Sequence, residues 1–225
     1  MSFVCSYWLI RSFFYTERVK TVLISQVRVK QIIYSVIFAF LMFGCASPPA
    51  PIVQLNPANH QISLKQQQNW QINGKIGFKG PEKKQSANLR WLQQQDHYQL
   101  NLTTVIGTSL LSLKGHSDTV TLVADDQVYQ DTDASRLIWR VTGWQMPVEQ
   151  LRFWIKGQHQ KLDKVLLSEQ GWVSQLTPNC KNCADWLITY DSYKLVDSTW
   201  LPHKVILKNQ KNNSQLLVRI DEWTL

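Results

Sequence analysis

The fold is decided by the stretch from Ser86 to Leu102, which reads SANLRWLQQQDHYQLNL. Apolar and polar residues alternate on both sides of the turn-forming pair Gln95-Asp96. The apolar positions are Ala87, Leu89, Trp91, Tyr98, Leu100 and Leu102. A period of two is typical of a strand with one face in the core and the other in water. The stretch therefore predicts two antiparallel strands joined by a short turn.

The same pattern recurs along the chain and sets the fold class. Further strands are predicted at 111–114, 120–124, 165–168, 172–176, 186–190, 204–208 and 216–221, separated by stretches rich in Gly, Asp, Asn and Ser. Such spacing is typical of an antiparallel meander of hairpins. We expect a mainly β domain in which the sheet curls into a half-open barrel.

Two segments in the middle have helical spacing instead. Residues 132–142 place apolar side chains every three or four positions and end at Gly143, a suitable C-terminal cap. A second helix is predicted from Pro147 to Gly157, and a third over 62–68. The first two would lie over the open barrel as a helical lid.

The N-terminal segment predicts the compartment. Residues 31–43 are almost wholly apolar, follow Arg28 and Lys30, and end at Gly44-Cys45. A basic flank, a short apolar run and a small residue are the parts of an export signal. Gly44-Cys45 resembles a lipobox, the cleavage site of lipoprotein signal peptidase, although Phe43 and Met42 depart from its usual residues. The segment before Arg28 is long for a signal, which leaves open a start near Val27.

This interpretation divides the chain into three parts. Residues 1–44 are a signal peptide, residues 45–62 hold the lipidated Cys45 and a Pro-rich tether, and residues 63–225 form one domain. The alternative is a membrane anchor that is left uncleaved. The formal charge of +8 falls to +4 when residues 1–44 are removed. The remaining basic residues are scattered, which argues against a nucleic-acid partner.

The sequence shows no catalytic constellation. The histidines are far apart in sequence and mostly in predicted turns, and the chain has no nucleophile elbow, zinc-protease motif or phosphate loop. Cys180 and Cys183 form a single C-x-x-C, which supplies only two zinc ligands. We therefore expect no enzyme, no cofactor and no metal. A disulfide between Cys180 and Cys183 is the favoured interpretation, and a periplasmic redox enzyme is the alternative.

Large apolar side chains leave two interpretations of the interior. The part after residue 44 keeps nine of the ten tryptophans, several on predicted strands and helices. They could fill an ordinary core, or they could line a cavity for an apolar ligand. The residues predicted to face that interior are Trp91, Leu100, Leu102, Leu111 and Leu113 from the strands and Leu137, Trp154 and Ile155 from the helices.

The turn between two of these strands carries apolar residues. Val105 and Ile106 precede Gly107 in a connection whose centre should lie in solvent. From the pattern alone, both side chains could instead fold back onto the core.

Several motifs, taken together, resemble the LolB family of outer-membrane lipoprotein receptors. They are Trp70-Gln-Ile-Asn-Gly74-Lys-Ile-Gly77, Ser86-Ala-Asn-Leu-Arg-Trp91, Tyr98-Gln-Leu-Asn-Leu102 leading to Ile106-Gly107, Thr142-Gly-Trp-Gln-Met-Pro147-Val148, and Leu151 with Trp154-Ile-Lys-Gly157. Their order and spacing match from about Leu64 to the C-terminus.

The resemblance implies a lidded half-barrel shared with the periplasmic carrier LolA, and an outer-membrane, lipid-anchored protein whose domain faces the periplasm. Its task would be to accept acylated lipoproteins from a LolA-type carrier and insert them into the inner leaflet of the outer membrane. Ala46 fits this location, since Asp after the lipidated Cys is the family's inner-membrane retention signal. The family carries an exposed Leu before the Gly, so the resemblance implies that Ile106, with Val105 and Gly107, forms a membrane-insertion loop. We expect a monomer. The alternative is a lipoprotein that binds a lipid or fatty acid without transferring cargo.

Overall fold

The fold is described by a computed structural model over residues 54–116, 118–180, 183 and 185–225. The predicted signal peptide, Cys45 and residues 46–53 of the predicted tether lie outside the described residues. Three helices occupy Pro57–Gln66 (α1), Ala134–Thr142 (α2) and Val148–Trp154 (α3). The strands are Asn69–Lys79 (β1), Lys84–Gln94 (β2), His97–Thr103 (β3), Ser109–His116 (β4), Thr119–Ala124 (β5), Gln127–Asp131 (β6), Lys164–Leu167 (β7), Val173–Thr177 (β8), Trp186–Val196 (β9), Thr199–Asn209 (β10) and Gln215–Thr224 (β11).

All eleven strands belong to one antiparallel sheet, in the order β6-β5-β4-β3-β2-β1-β11-β10-β9-β8-β7. The order is sequential on both sides of β1 and β11, which pair in the middle. The order ends at β6 on one side and β7 on the other, so the sheet is open. The chain crosses from one edge strand to the other through α2 and α3. The fold class, mainly β with a few helices on an open antiparallel sheet, is confirmed.

Alternation of side chains explains how this sheet builds one interior. On β3, Tyr98, Leu100 and Leu102 are buried, while the residues between them are partly exposed. Neighbouring strands repeat the pattern in register, so their inward side chains join one continuous hydrophobic cluster. One face of the sheet therefore covers the core and the other meets solvent.

Local residues set the limits of the helices. The Asp133 side chain accepts a hydrogen bond from the Arg136 amide at 2.9 Å and caps α2. Gly143 ends the helix in a left-handed conformation, and its amide donates to Trp139 O at 2.8 Å. Asn56 caps α1, which starts with Pro57.

Two features of the fold differ from the sequence prediction. Helix α1 begins at Pro57 rather than at residue 62, so residues 57–62 are helical and not part of the tether. Strand β6 was not predicted, because its five residues have no clear apolar alternation and its outward Val128 is exposed. It forms a hairpin with β5 through Asp125 and Asp126, which both have positive φ, as a tight two-residue turn requires.

Two histidines are buried rather than placed in turns. His60 on α1 lies 2.8 Å from Trp200 O through Nε2, and His203 on β10 lies 2.8 Å from Ile220 O through Nδ1. The Nε2 atom of His203 is buried without a hydrogen-bond partner among the described residues. Burial lowers the pKa of both imidazoles below the ordinary value of 6.5. The folded domain therefore favours the neutral form of both rings.

The buried histidines predict that the domain is destabilised by mild acid. Below about pH 6.5 the histidines of the unfolded chain bind protons, whereas the buried imidazoles of the folded domain resist protonation. The free energy of unfolding therefore falls as the pH decreases through this range, and the contribution of the neutral histidines is fully present above it. We expect the melting temperature to fall as the pH decreases from about 7.5 to about 5.5. His203→Asn should make this fall smaller, by about 2–4 °C for each kcal/mol that protonation of His203 removes from the free energy of unfolding. Scanning calorimetry measures both, with the exposed His97→Gln as control. An identical acid shift in wild type and His203→Asn would show that His203 does not contribute.

Candidate functional site

The interior of the half-barrel contains all eight residues predicted to face it. Each has at most 5% of its surface exposed. They are Trp91, Leu100, Leu102, Leu111, Leu113, Leu137, Trp154 and Ile155. Trp91 on β2 lies opposite Leu100 on β3, which in turn lies opposite Leu113 on β4. The strand residues thus form an apolar ladder on the inner face.

The two lid helices contact each other, and the linker between them contacts the sheet. The Val148 amide donates to Ser135 Oγ at 3.1 Å, which joins α3 to α2. In the α2–α3 linker, the Trp144 ring stacks on Phe78 of β1 with centroids 5.5 Å apart, and its Nε1–H donates to Gln85 Oε1 at 2.5 Å. The Asn212 side-chain amide in the β10–β11 turn donates to Gln145 Oε1 at 2.6 Å. These contacts fasten the linker to three strands or turns of the sheet.

The interior is therefore packed by the protein's own side chains. A surface cleft of about 540 Å³ lies outside it and is lined largely by polar residues, among them Lys65, Gln93 and Lys156. The eight inward residues are almost inaccessible to solvent in this closed arrangement.

A buried cation fastens α1 beside the lid. Lys156, which follows α3, donates from Nζ to Leu64 O at 3.0 Å and to Gln67 O at 2.6 Å. These carbonyls lie at the C-terminal end of α1, where a positive charge is favourable. Burial lowers the pKa of Lys156 to about 8. The sequence motif Trp154-Ile-Lys-Gly157 contained this lysine but gave no sign of its contacts.

The connection between β3 and β4 is a tight turn with an apolar tip. The Gly107 amide donates to Thr104 O at 3.0 Å, and the Thr108 amide donates to Thr104 Oγ1 at 3.0 Å. Val105 and Ile106 stand at the two central positions, 91% and 89% exposed. Gly107 has φ 88°, which a residue with a side chain rarely adopts. The turn holds both apolar side chains in solvent.

Neighbouring groups fix the turn to the sheet. Asn88 on β2 donates from Nδ2 to Thr104 O at 3.0 Å. Leu110, the first outward apolar residue of β4, is also exposed. The turn that carries the tip is thus tied to β2 by the hydrogen bond from Asn88.

Cys180 and Cys183 lie in the connection between β8 and β9. Their Cα atoms are 5.3 Å apart and their sulfur atoms are placed as a disulfide. Among the described residues, no three His, Cys, Asp or Glu side chains are grouped as ligands for a metal ion. No helix in the described part of the chain combines the length and apolarity needed to cross a bilayer.

Comparison with known proteins extends this description. The sequence profile of the family described as outer membrane lipoprotein LolB matches residues 68–223. Outer-membrane lipoprotein LolB of Tolumonas auensis is 34% identical over 193 residues, which cover 85% of this chain and 95% of that protein. Its counterpart in Vibrio cholerae is 33% identical over 192 residues, which cover 82% and 91%.

A solved structure shares the fold. The LolA superfamily protein from Nitrosomonas europaea superimposes with a TM-score of 0.51 over 76% of this chain and 94% of that chain, at 11% sequence identity. The two proteins therefore share a fold, an open antiparallel sheet with a helical lid.

The sequence matches show that the chain belongs to the LolB family. It is an outer-membrane lipoprotein that acts as a receptor in lipoprotein sorting, and its domain faces the periplasm. It is not an enzyme, so the redox-enzyme alternative for Cys180 and Cys183 is wrong.

Proposed function

We propose that the domain accepts acylated lipoproteins from a LolA-type carrier, shelters their acyl chains in the half-barrel, and releases them into the inner leaflet of the outer membrane past the Val105-Ile106 turn. The observation that carries this proposal is the turn itself. Two almost fully exposed apolar side chains stand beside strands whose inner faces carry the buried residues Leu100, Leu102, Leu111 and Leu113.

Shelter for the acyl chains follows from the cost of exposing them to water. Moving one CH₂ group from an apolar environment into water costs about 0.8 kcal/mol of free energy. Exposing three acyl chains to water would therefore cost tens of kcal/mol. The eight inward residues supply an apolar surface in place of water once the lid opens. Transfer from the carrier then needs only a modest difference in affinity.

Release is assisted by the exposed turn. An apolar tip can enter the interface of a bilayer, where burial of Val105 and Ile106 is favourable. The hydrogen bond from Asn88 to Thr104 holds the tip against β2. Acyl chains leaving the interior near this tip would pass into lipid with little exposure to water.

The domain is proposed to act as a monomer. The edge strands β6 and β7 have only five and four residues, and short edges resist pairing with another sheet. Light scattering of the purified protein tests this point directly.

A two-step transfer assay tests the function. Labelled triacylated lipoprotein bound to the carrier is mixed with the purified protein, and acceptance is measured by pull-down. Liposomes are then added, and cargo is measured in the floated lipid fraction. Acceptance followed by insertion supports the proposal. Acceptance without insertion would support the alternative, a lipid-binding lipoprotein without transfer activity.

Cys45 is proposed as the lipidated N-terminal residue of the mature protein. We expect Cys45→Ala to abolish membrane attachment, because the thiol that carries the lipid is lost. Mass spectrometry of the N-terminus and membrane fractionation measure this, with Cys5→Ala as control. A Cys45→Ala protein that is cleaved and attached normally would contradict the assignment.

A further inference from the structure

Lysine residues form a row across the end of the sheet that carries the Val105-Ile106 turn. Lys84 on β2 lies opposite Lys79 on β1, Lys79 lies opposite Gln215 on β11, and Gln215 lies opposite Lys208 on β10. The three lysines, called here the lysine row, are exposed and point away from the core. They therefore share one level and one face of four neighbouring strands.

The row works against the stability of the sheet. Like charges directly opposite each other on antiparallel strands are destabilising, and Lys79 and Lys84 form such a pair. None of the ion pairs between described residues involves a member of the row. The row is thus a concentration of positive charge that folding does not explain.

The adjoining turns add to this charge. Lys83 lies in the β1–β2 turn and Lys211 in the β10–β11 turn, and both are exposed. Glu82 is the one acidic residue in the segments 79–84 and 208–214, against five lysines.

The row and the apolar tip lie at the same end of the sheet. Asn88 pairs with Thr103, just before the tip, and Lys84 lies four residues further along β2. At a strand rise of about 3.3 Å per residue, Lys84 is about 13 Å beyond that pair. The turn from Thr104 to Gly107 extends in the same direction. Long lysine side chains at this level can reach the surface that the tip enters.

We propose that the lysine row binds anionic phospholipid headgroups and thereby orients the domain with its apolar tip on the bilayer. This rests on the proposed function, since it assumes that the tip meets lipid. The charge complementarity is direct: ammonium groups face phosphates while Val105 and Ile106 enter the apolar layer. Each basic residue near an anionic surface raises membrane affinity about fivefold, so the row makes insertion depend on lipid charge.

The test uses the full lipidated protein in vesicles of phosphatidylcholine alone or with a third of phosphatidylglycerol. The rate of cargo insertion is compared for wild type, Lys79→Gln/Lys84→Gln/Lys208→Gln, and the control Lys65→Gln/Lys114→Gln/Lys194→Gln. The control removes the same charge from exposed positions away from this end of the sheet. We expect wild type and control to insert cargo about tenfold faster into the anionic vesicles, and the row variant to lose that gain.

The outcomes separate this inference from the proposed function. No insertion by wild type into either vesicle would contradict the proposed function. Insertion by wild type that is independent of vesicle charge, or equal loss in row variant and control, would overturn the inference alone. A row variant that accepts cargo from the carrier more slowly but keeps its response to vesicle charge would also overturn it, because the row would then face the carrier. A melting temperature at or above that of wild type shows that the variant is folded.

Discussion

Ile106→Glu is expected to accept lipoprotein from the carrier at the normal rate and to fail at inserting it into liposomes. The side chain is almost fully exposed in a turn that its neighbours stabilise, so the substitution should leave the fold unchanged. Placing a carboxylate where an apolar group enters lipid costs about 2 kcal/mol or more, which corresponds to about a 30-fold loss of insertion. The two-step transfer assay measures acceptance and insertion separately.

The matched control is Leu195→Glu. Leu195 is also an exposed apolar residue, on the outer part of β9 away from the turn. It should insert cargo normally, which shows that an added negative charge is not itself inhibitory. If Ile106→Glu inserts cargo at the wild-type rate, the tip does not assist release. If it loses acceptance while remaining folded, the turn belongs to the carrier-binding surface instead.

Cross-linking the lid to the sheet is expected to block acceptance almost completely. The interior is filled by its own side chains, so acyl chains require displacement of the α2–α3 linker. Gln145 in that linker and Asn212 in the β10–β11 turn are already joined by a hydrogen bond of 2.6 Å. The double variant Gln145→Cys/Asn212→Cys, treated with a short bis-maleimide, fixes the closed arrangement. Carrier-to-receptor transfer is then measured before and after treatment.

A cross-link within the sheet serves as control. Asn73 and Glu222 lie opposite each other on β1 and β11, and Asn73 donates to Glu222 Oε2 at 3.0 Å. Asn73→Cys/Glu222→Cys joins two strands without involving the lid, and should accept cargo after treatment. Full acceptance by the cross-linked Gln145/Asn212 variant would mean that the interior opens without movement of this linker.

The sequence predicts the inward faces of the sheet well, because buried apolar residues alternate with exposed polar residues along each strand. Leu100 and Leu102 had to share a face whatever the rest of the chain did. The pattern alone left open whether Val105 and Ile106 in the following turn lie in solvent or fold back onto the core. What alternation does not contain is whether the space beyond that face is empty or filled. A cavity wall and a packed core require the same side chains, so the closed interior was visible only in the structure.

Other features depended on contacts between distant residues. The Trp144–Gln85 hydrogen bond joins positions 59 residues apart, and Lys156 reaches Leu64 across 92. No local pattern encodes such pairs. Strand β6 forms because it pairs with β5, and its own residues do not alternate clearly between apolar and polar. The sequence pattern therefore does not predict it. Cys45 lies outside the described residues, so its role remains a prediction.

The pairing of β1 with β11 has a consequence for how the protein is made. The central pair of the sheet joins residues such as Gln71 and Thr224, which are almost the whole domain apart in sequence. Closing so long a loop is slow, and it cannot begin until the last strand has been synthesised and exported. A chain still passing through the inner membrane therefore lacks this central pair and has no finished interior. Folding is completed only in the compartment where the protein works.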